Sequence, residues 1–217
     1  MQYWRSQPFW PGETAFLIGG GPSLKGMDLT GLTGRRTIAV NNAFRLIPRP
    51  DVVFYADTRW WSWNGKDIPT DFGGRIISTC SAGARYLDPR VCRMGRCYRF
   101  AEPDGNPLST DPSLLSGPDS GYMAINLAFQ FGASRIVLLG YDMEFTAGES
   151  HWHADYPVET PETNYLNLFA PKYPKLIEAL HKAGVEVLRC TPSRLDYIPE
   201  ITLEEALALP DRQRSRL

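Results

Sequence analysis

Residues Phe16-Leu17-Ile18-Gly19-Gly20-Gly21-Pro22-Ser23-Leu24 constrain this chain more than any other stretch. An apolar run feeds directly into three glycines, a proline and a serine. That order predicts a buried strand, a tight turn and a helix start. Glycine permits positive φ and close backbone approach. Proline carries a φ suited to the first helical residue. Unpaired N–H groups at such a turn attract anions. The turn therefore predicts a phosphate or nucleotide site near the N-terminus, with a ligand-free strand–helix turn as the alternative. It has neither the spacing of the dinucleotide fingerprint nor that of the P-loop.

Similar apolar runs recur at 15–19, 37–40, 52–55, 75–78, 98–100, 135–139 and 185–189. Several are continuous rather than alternating, as in parallel strands covered on both faces. Helical segments fall between them. Residues 120–131 begin beside Asp119 and stop at Gly132, residues 173–183 stop at Gly184, and a capping box joins Thr202 to Glu205. The expected fold class is α/β. It is a single Rossmann-like domain over residues 1–217, with a mostly parallel sheet flanked by helices, a core at 15–193 and a C-terminal helix and tail at 202–217. Two long segments, 102–119 and 146–163, interrupt the rhythm. The second holds His151, Trp152, His153, Asp155 and Tyr156, and is expected to be a mobile lid.

A length of 217 residues allows a full core, and a net charge of −1 gives no global attraction to nucleic acid or anionic membrane. No apolar run approaches the ~20 residues of a membrane span, and the N-terminus lacks the apolar stretch of a signal peptide. A cytoplasmic location is expected. Cys80, Cys92, Cys97 and Cys190 are scattered. Cys92 and Cys97 lack the spacing of a metal pair, so buried free thiols are expected.

In a parallel sheet the strand ends converge on one edge, where ligands bind. Here that edge would collect Gly19, Gly20, Gly21, Pro22 and Ser23, then Asn41 and Asn42, Asp57, Ser120 and Gly121, and finally Gly140-Tyr141-Asp142. Asparagine can donate to and accept from a base or ribose. Asp57 and Asp142 can hold ribose, a metal or an acceptor hydroxyl. Each residue alone also fits ordinary capping and turn chemistry.

The ordered set Ile18–Leu24, Asn41-Asn42-Ala43-Phe44, Ser120-Gly121-Tyr122-Met123-Ala124 and Leu139-Gly140-Tyr141-Asp142 resembles the bacterial lipooligosaccharide sialyltransferases. It is also similar to their relatives typified by 6-hydroxymethylpterin pyrophosphokinase. Cys190-Thr191-Pro192-Ser193 fits the same order. The resemblance implies that Gly20, Gly21, Pro22, Ser23, Asn42 and Ser120 bind the nucleotide of a donor sugar. The family's turn has asparagine where this chain has Gly20. Its two phosphate-stabilising tyrosines fall where this chain has Phe145 and Ser150-His151-Trp152. Its histidine base lies nearer the next helix, where this chain has no histidine.

The leading expectation is an inverting glycosyltransferase with a CMP- or UDP-type nucleotide-sugar donor. Its acceptor is a glycan or a modified nucleobase. His151 or His153 serves as base or phosphate stabiliser, since an ordinary imidazole titrates near neutrality. Asp142 positions the donor, and Asp57 is a further catalytic candidate. Mg²⁺ is not required in this reading. The alternatives are a Mg²⁺-dependent pyrophosphokinase using Asp57 and Asp142 as metal ligands, or a nucleotide-binding module without catalysis. His151, His153, Asp155 and Asp142 could instead ligate a divalent metal. His181 reads as a surface residue near a helix end. The arginines Arg85, Arg90, Arg93, Arg96 and Arg99, interleaved with Tyr86 and Tyr98, read as a solvated face or a docking site for an anionic acceptor. Trp60, Trp61 and Trp63 read as core, as a homo-oligomer interface or as a stacking surface.

Overall fold

The structure is a computed structural model that describes residues 3–79, 88–97, 106–158 and 160–212. The strand expected at 98–100, together with Cys80, Arg85, Tyr86 and Arg99, lies outside the described residues. Seven strands form the main sheet: β1 (Thr14–Ile18), β2 (Arg36–Val40), β3 (Val52–Tyr55), β4 (Arg75–Ser78), β5 (Val91–Arg93), β8 (Arg135–Leu139) and β9 (Glu186–Arg189). Their order is β5-β4-β3-β2-β1-β8-β9, and every pairing is parallel. Two short strands, β6 (Gly95–Arg96) and β7 (Leu114–Leu115), pair separately.

Both faces of the sheet are covered, which explains the continuous apolar runs. On one face Ala15, Leu17, Ile38 and Val40 pack with Met123 and Leu127 of α2 (Ser120–Gln130) and Leu176 of α4 (Tyr173–Lys182). On the other face Phe16, Ile18, Ala39, Val137 and Leu139 meet Leu24, Leu29 and Leu32. Ala206 of α5 (Leu203–Ala208) closes that layer. Thr202 and Glu205 form the expected capping box at α5. Gly132, at φ +94°, follows α2 in the left-handed conformation that ends helices.

Several elements differ from expectation. Residues Thr58–Asn64 form α1, capped by Asp57. The segment expected to be a loop after residue 160 becomes helical at α3 (Glu162–Asn164). It continues through a π turn, Tyr165–Phe169, and a 3-10 turn, Ala170–Lys172, into α4. Cys97 is exposed, and Cys92 and Cys190 are partly buried, so buried thiols were too simple an expectation. Among the described residues no helix is long and apolar enough to cross a membrane.

Candidate functional site

Strand order reverses between β1 and β8. β1 runs on to β2 on one side, while β8 lies on its other side. A crevice opens beyond the carboxyl ends of strands at such a switch point. Here it widens into a cleft of about 830 Å³ that runs from Gly19–Gly21 and Asp142 to Thr79 and Arg96. Gly19, Gly20, Gly21, Asn42, Asp57, Ser120, Gly121, Asp142, His151 and His153 all line it. Pro22 and Ser23 stand behind it in a single 3-10 turn, Pro22–Leu24.

The glycine turn is built for internal packing. None of Gly19, Gly20 and Gly21 has positive φ, and Gly21 sits at φ −64°. The freedom to adopt positive φ is therefore not what selects glycine here. A Cβ on Gly19 would collide with the Gly140 carbonyl, and one on Gly20 would lie 2.9 Å from His151 Cδ2. A Cβ on Gly21 would overlap the Asp142 carboxylate, 2.8 Å from its farther oxygen. The N–H groups are largely spent within the protein as well. Gly19 donates to Leu139 O and Gly21 to Gly140 O. Ser23 donates its N–H to Asp142 Oδ2 at 2.8 Å and its hydroxyl to Oδ1 at 2.5 Å. Asp142 thus occupies the anion position at the start of this turn. Burial raises its pKa, opposed by the two Ser23 bonds.

The start of α2 repeats the pattern. Asp119 caps it, its Oδ1 accepting from Tyr122 N and from Tyr173 OH, each at 3.0 Å. Its Oδ2 is buried without a partner, and burial raises the pKa of the group. A Cβ on Gly121 would lie 2.8 Å from the Tyr141 ring, so this glycine also serves packing. Ser120 opens the helix at the cleft wall.

Asp57 caps α1 through Arg59 N at 2.9 Å and pairs with the Arg59 guanidinium at 2.7 Å. The Arg59 bonds hold its pKa below the usual range. Asp57 and Asp142 are therefore engaged with separate partners. Among the described residues no group of three or more His, Cys, Asp or Glu side chains is placed to hold a metal, so the set of His151, His153, Asp155 and Asp142 weighed from sequence does not assemble.

Asn42 is 1% exposed, and its Oδ1 accepts from Trp60 Nε1 at 2.7 Å. Its Nδ2 is buried without a partner, as is Oδ1 of Asn41, which adopts φ +53°. Asparagine tolerates that left-handed conformation better than most residues.

The histidine segment is seated over the cleft. Trp152 N donates to Gly20 O at 3.0 Å, Asp155 pairs with Arg45 at 2.9 Å, and Glu149 pairs with Lys25. His151 Nδ1 lies 2.8 Å from Ser150 Oγ, and Nε2 lies 3.4 Å from Tyr165 OH. His153 Nδ1 accepts from Asp155 N, which leaves Nε2 to carry the proton when the ring is neutral. Burial, helped by His153, pushes His151 down to about 4, and burial also lowers His153. Both are neutral at pH 7, unlike the near-neutral titration expected from sequence.

Sequence reasoning named Tyr156 only as part of the expected lid and did not single out Tyr165; both line the cleft beside His151. Burial raises both phenol pKa values, so the hydroxyls stay protonated. It also missed Asp119, passed over as a capping residue. The arginine cluster divides: Arg90 pairs with Asp88, whereas Arg96 lines the cleft. Trp60 is core, and Trp63 stands in the cleft wall with Arg59 over its ring. His181 is exposed in the last turn of α4, as expected.

A scan against protein-family models finds no match, and a search of curated proteins finds none. Solved structures do match the fold. The MAf glycosyltransferase from Magnetospirillum magneticum AMB-1 superposes with a TM-score of 0.64 at 16% identity, over 98% of this chain and 37% of that one. This chain thus spans little more than a third of that protein. The sialyltransferase CstII from Campylobacter jejuni, in complex with cytidine-5'-monophosphate, superposes with a TM-score of 0.52 at 15% identity, over 94% of this chain and 90% of that one. Its complex with CMP-3FNeuAc gives a TM-score of 0.52 at 14% identity. The chain has a glycosyltransferase-like α/β fold.

Proposed function

We propose that the cleft binds a nucleotide-activated sugar and transfers the sugar to an acceptor hydroxyl. The observation that carries this reading is the position of the cleft. It lies at the sheet's switch point, has buried amides without partners on its wall, and is covered by a segment rich in His and Tyr. The fold it shares with a CMP-bound sialyltransferase supports a donor of the CMP or UDP type.

In this reading Asn41 and Asn42 face the nucleoside, Gly20 and Ser120 border it, and Asp142 braces the glycine turn. The acceptor oxygen forms a bond to the anomeric carbon while the bond from that carbon to the phosphate oxygen breaks. The nucleotide leaves with the electron pair. The acceptor proton passes to His151 or His153, neutral and able to accept it. A pKa near 4 makes His151 a weak base in the empty cleft. An anionic donor beside the ring favours the imidazolium and lifts that pKa toward neutrality. Tyr156 and Tyr165, protonated at all working pH, can donate to the departing phosphate. The acceptor, a glycan or a modified nucleobase, enters from the Trp63 and Arg96 end.

A thermal-shift series with CMP, UMP, UDP, ADP and ATP, each with and without Mg²⁺, tests this. A pyrimidine nucleotide at ~100 times its Kd adds ~2.7 kcal/mol, or a rise of roughly 5–10 °C for a chain of this size. Stabilisation by ATP with Mg²⁺ alone points to phosphoryl transfer instead, and no shift with any nucleotide refutes the proposal.

A further inference from the structure

The two unpartnered amide atoms on the cleft wall are unequal in kind, a nitrogen on Asn42 and an oxygen on Asn41. The Trp60 indole N–H can only donate. With Asn42 Oδ1 accepting it at 2.7 Å, a flipped amide would set N–H against N–H. The Asn42 amide is therefore locked, and Nδ2 is a buried donor without a partner. Beside it, Asn41 Oδ1 is a buried acceptor without a partner, and the Asn41 side chain opposes the rise in the Tyr156 pKa.

Trp60 itself is held tightly. It is 1% exposed, with the Tyr55 ring at 4.7 Å and the edge-on Phe44 ring at 6.0 Å. Its carbonyl accepts from Asn64 Nδ2 at 3.2 Å, and Asn64 Oδ1 accepts from Arg45 at 3.0 Å. The indole has no room to release the amide.

We infer that Trp60 is a positioning residue that locks Asn42, so that Asn41 and Asn42 together read the order of donor and acceptor along one edge of a pyrimidine base. The inference rests on the nucleotide reading of the cleft. Cytosine places an N4 amino donor beside the N3 acceptor, whereas uracil places the O4 acceptor beside an N3–H donor. With the Asn42 donor fixed, the pair satisfies one order and leaves the buried Asn42 nitrogen unpaired with the other. Sites built this way discriminate strongly, because unpaired buried groups are costly.

Isothermal titration of CMP and UMP gives the test. The wild-type chain prefers one of the two by ~10–100-fold. W60F removes the N–H and frees the amide to present either face, so the ratio falls to within about threefold. N42D keeps an oxygen on Trp60 and replaces the free donor by an acceptor; the resulting acceptor pair matches one atom and opposes one atom of either base, so the ratio falls to within about threefold here too, even where W60F folds poorly. A purely structural Trp60 would lower stability and leave the ratio unchanged. An unchanged ratio in W60F or in N42D, or equal wild-type affinities, overturns the inference while leaving nucleotide binding intact. Wild-type protein that binds neither nucleotide removes the parent reading, and this one with it.

Discussion

Gly21→Ala is the sharpest test of how the glycine turn is built. The added Cβ overlaps the Asp142 carboxylate, including Cγ and both oxygens. It cannot be accommodated by a rotamer change alone, because Asp142 is 4% exposed and bonded to Ser23 through N–H and hydroxyl. The carboxylate must leave Ser23. Hydrogen bonds to a charged group contribute ~1.5–3 kcal/mol each, so losing the pair with partial relaxation costs about 2–4 kcal/mol. For a chain of this length that is a fall in Tm of roughly 5–15 °C. The backbone itself is unstrained by alanine, since φ at Gly21 is −64°. The cost therefore lies in the contact, and a double-mutant cycle isolates it. Asp142→Ala removes both the obstacle and the bonds, so adding Gly21→Ala to it costs less than about 0.5 kcal/mol in urea unfolding. A Gly21→Ala penalty as large in that background as in the wild type would show that Asp142 is not what excludes a side chain here.

Two further outcomes follow from the site. His151 binds a proton less readily folded, at about 4, than unfolded, near 6.5. Across that window the unfolded chain holds more protons, so stability rises with pH and is lost as pH falls toward 4, by up to ~1.4 kcal/mol per pH unit. His151→Gln removes that share of the slope, measured by urea unfolding between pH 4 and 7; identical slopes would place His151 in a solvated setting. Asp57→Asn keeps an acceptor for Arg59 N and loses only a few tenths of a kcal/mol, while Asp57→Ala loses the cap and about 1 kcal/mol. Equal losses in the two variants would contradict the capping role.

The sequence revealed the sheet because its strands are buried on both faces. Runs such as 136–139 and 52–54 have nothing polar to blur them. β5 escaped notice because its three residues are only partly buried and carry a cysteine and an arginine. α1 escaped because Trp60, Trp61 and Trp63 draw attention as aromatics, while Asp57 was left open between a ligand and a cap. The site was legible where strand ends alone define it, at Gly19–Gly21, Asn42 and Asp142. It was not legible where long-range geometry defines it. Nothing local says that Asp142 crosses to Ser23, over a separation of 119 residues, or that the Trp60 indole reaches back to Asn42. The imidazole pKa values were likewise invisible, since they follow from burial of the segment that carries them, whose seating on Gly20 and Arg45 only the fold reveals.

Both anion positions expected from the sequence are occupied by the protein's own carboxylates. Ser23 N–H belongs to Asp142, and Tyr122 N–H at the start of α2 belongs to Asp119. A phosphate brought to within ~4 Å of either carboxylate, while that group is ionised, would meet a repulsion of about 4 kcal/mol at an effective dielectric constant near 20. Burial raises both carboxylate pKa values, which softens that repulsion, and an approaching anion would raise them further. Among the groups of the cleft that can donate to a phosphate are the Tyr156 and Tyr165 hydroxyls and the two imidazoles, which lie on the covering segment or the helix it leads into. Under the proposed function the sheet edge would hold the nucleoside by shape and amide hydrogen bonds, and the covering segment would meet the charge from above. Base recognition and phosphate handling would then fall to different parts of the chain, joined through Arg45, which belongs to the Asn41–Arg45 turn and pairs with Asp155 of the covering segment.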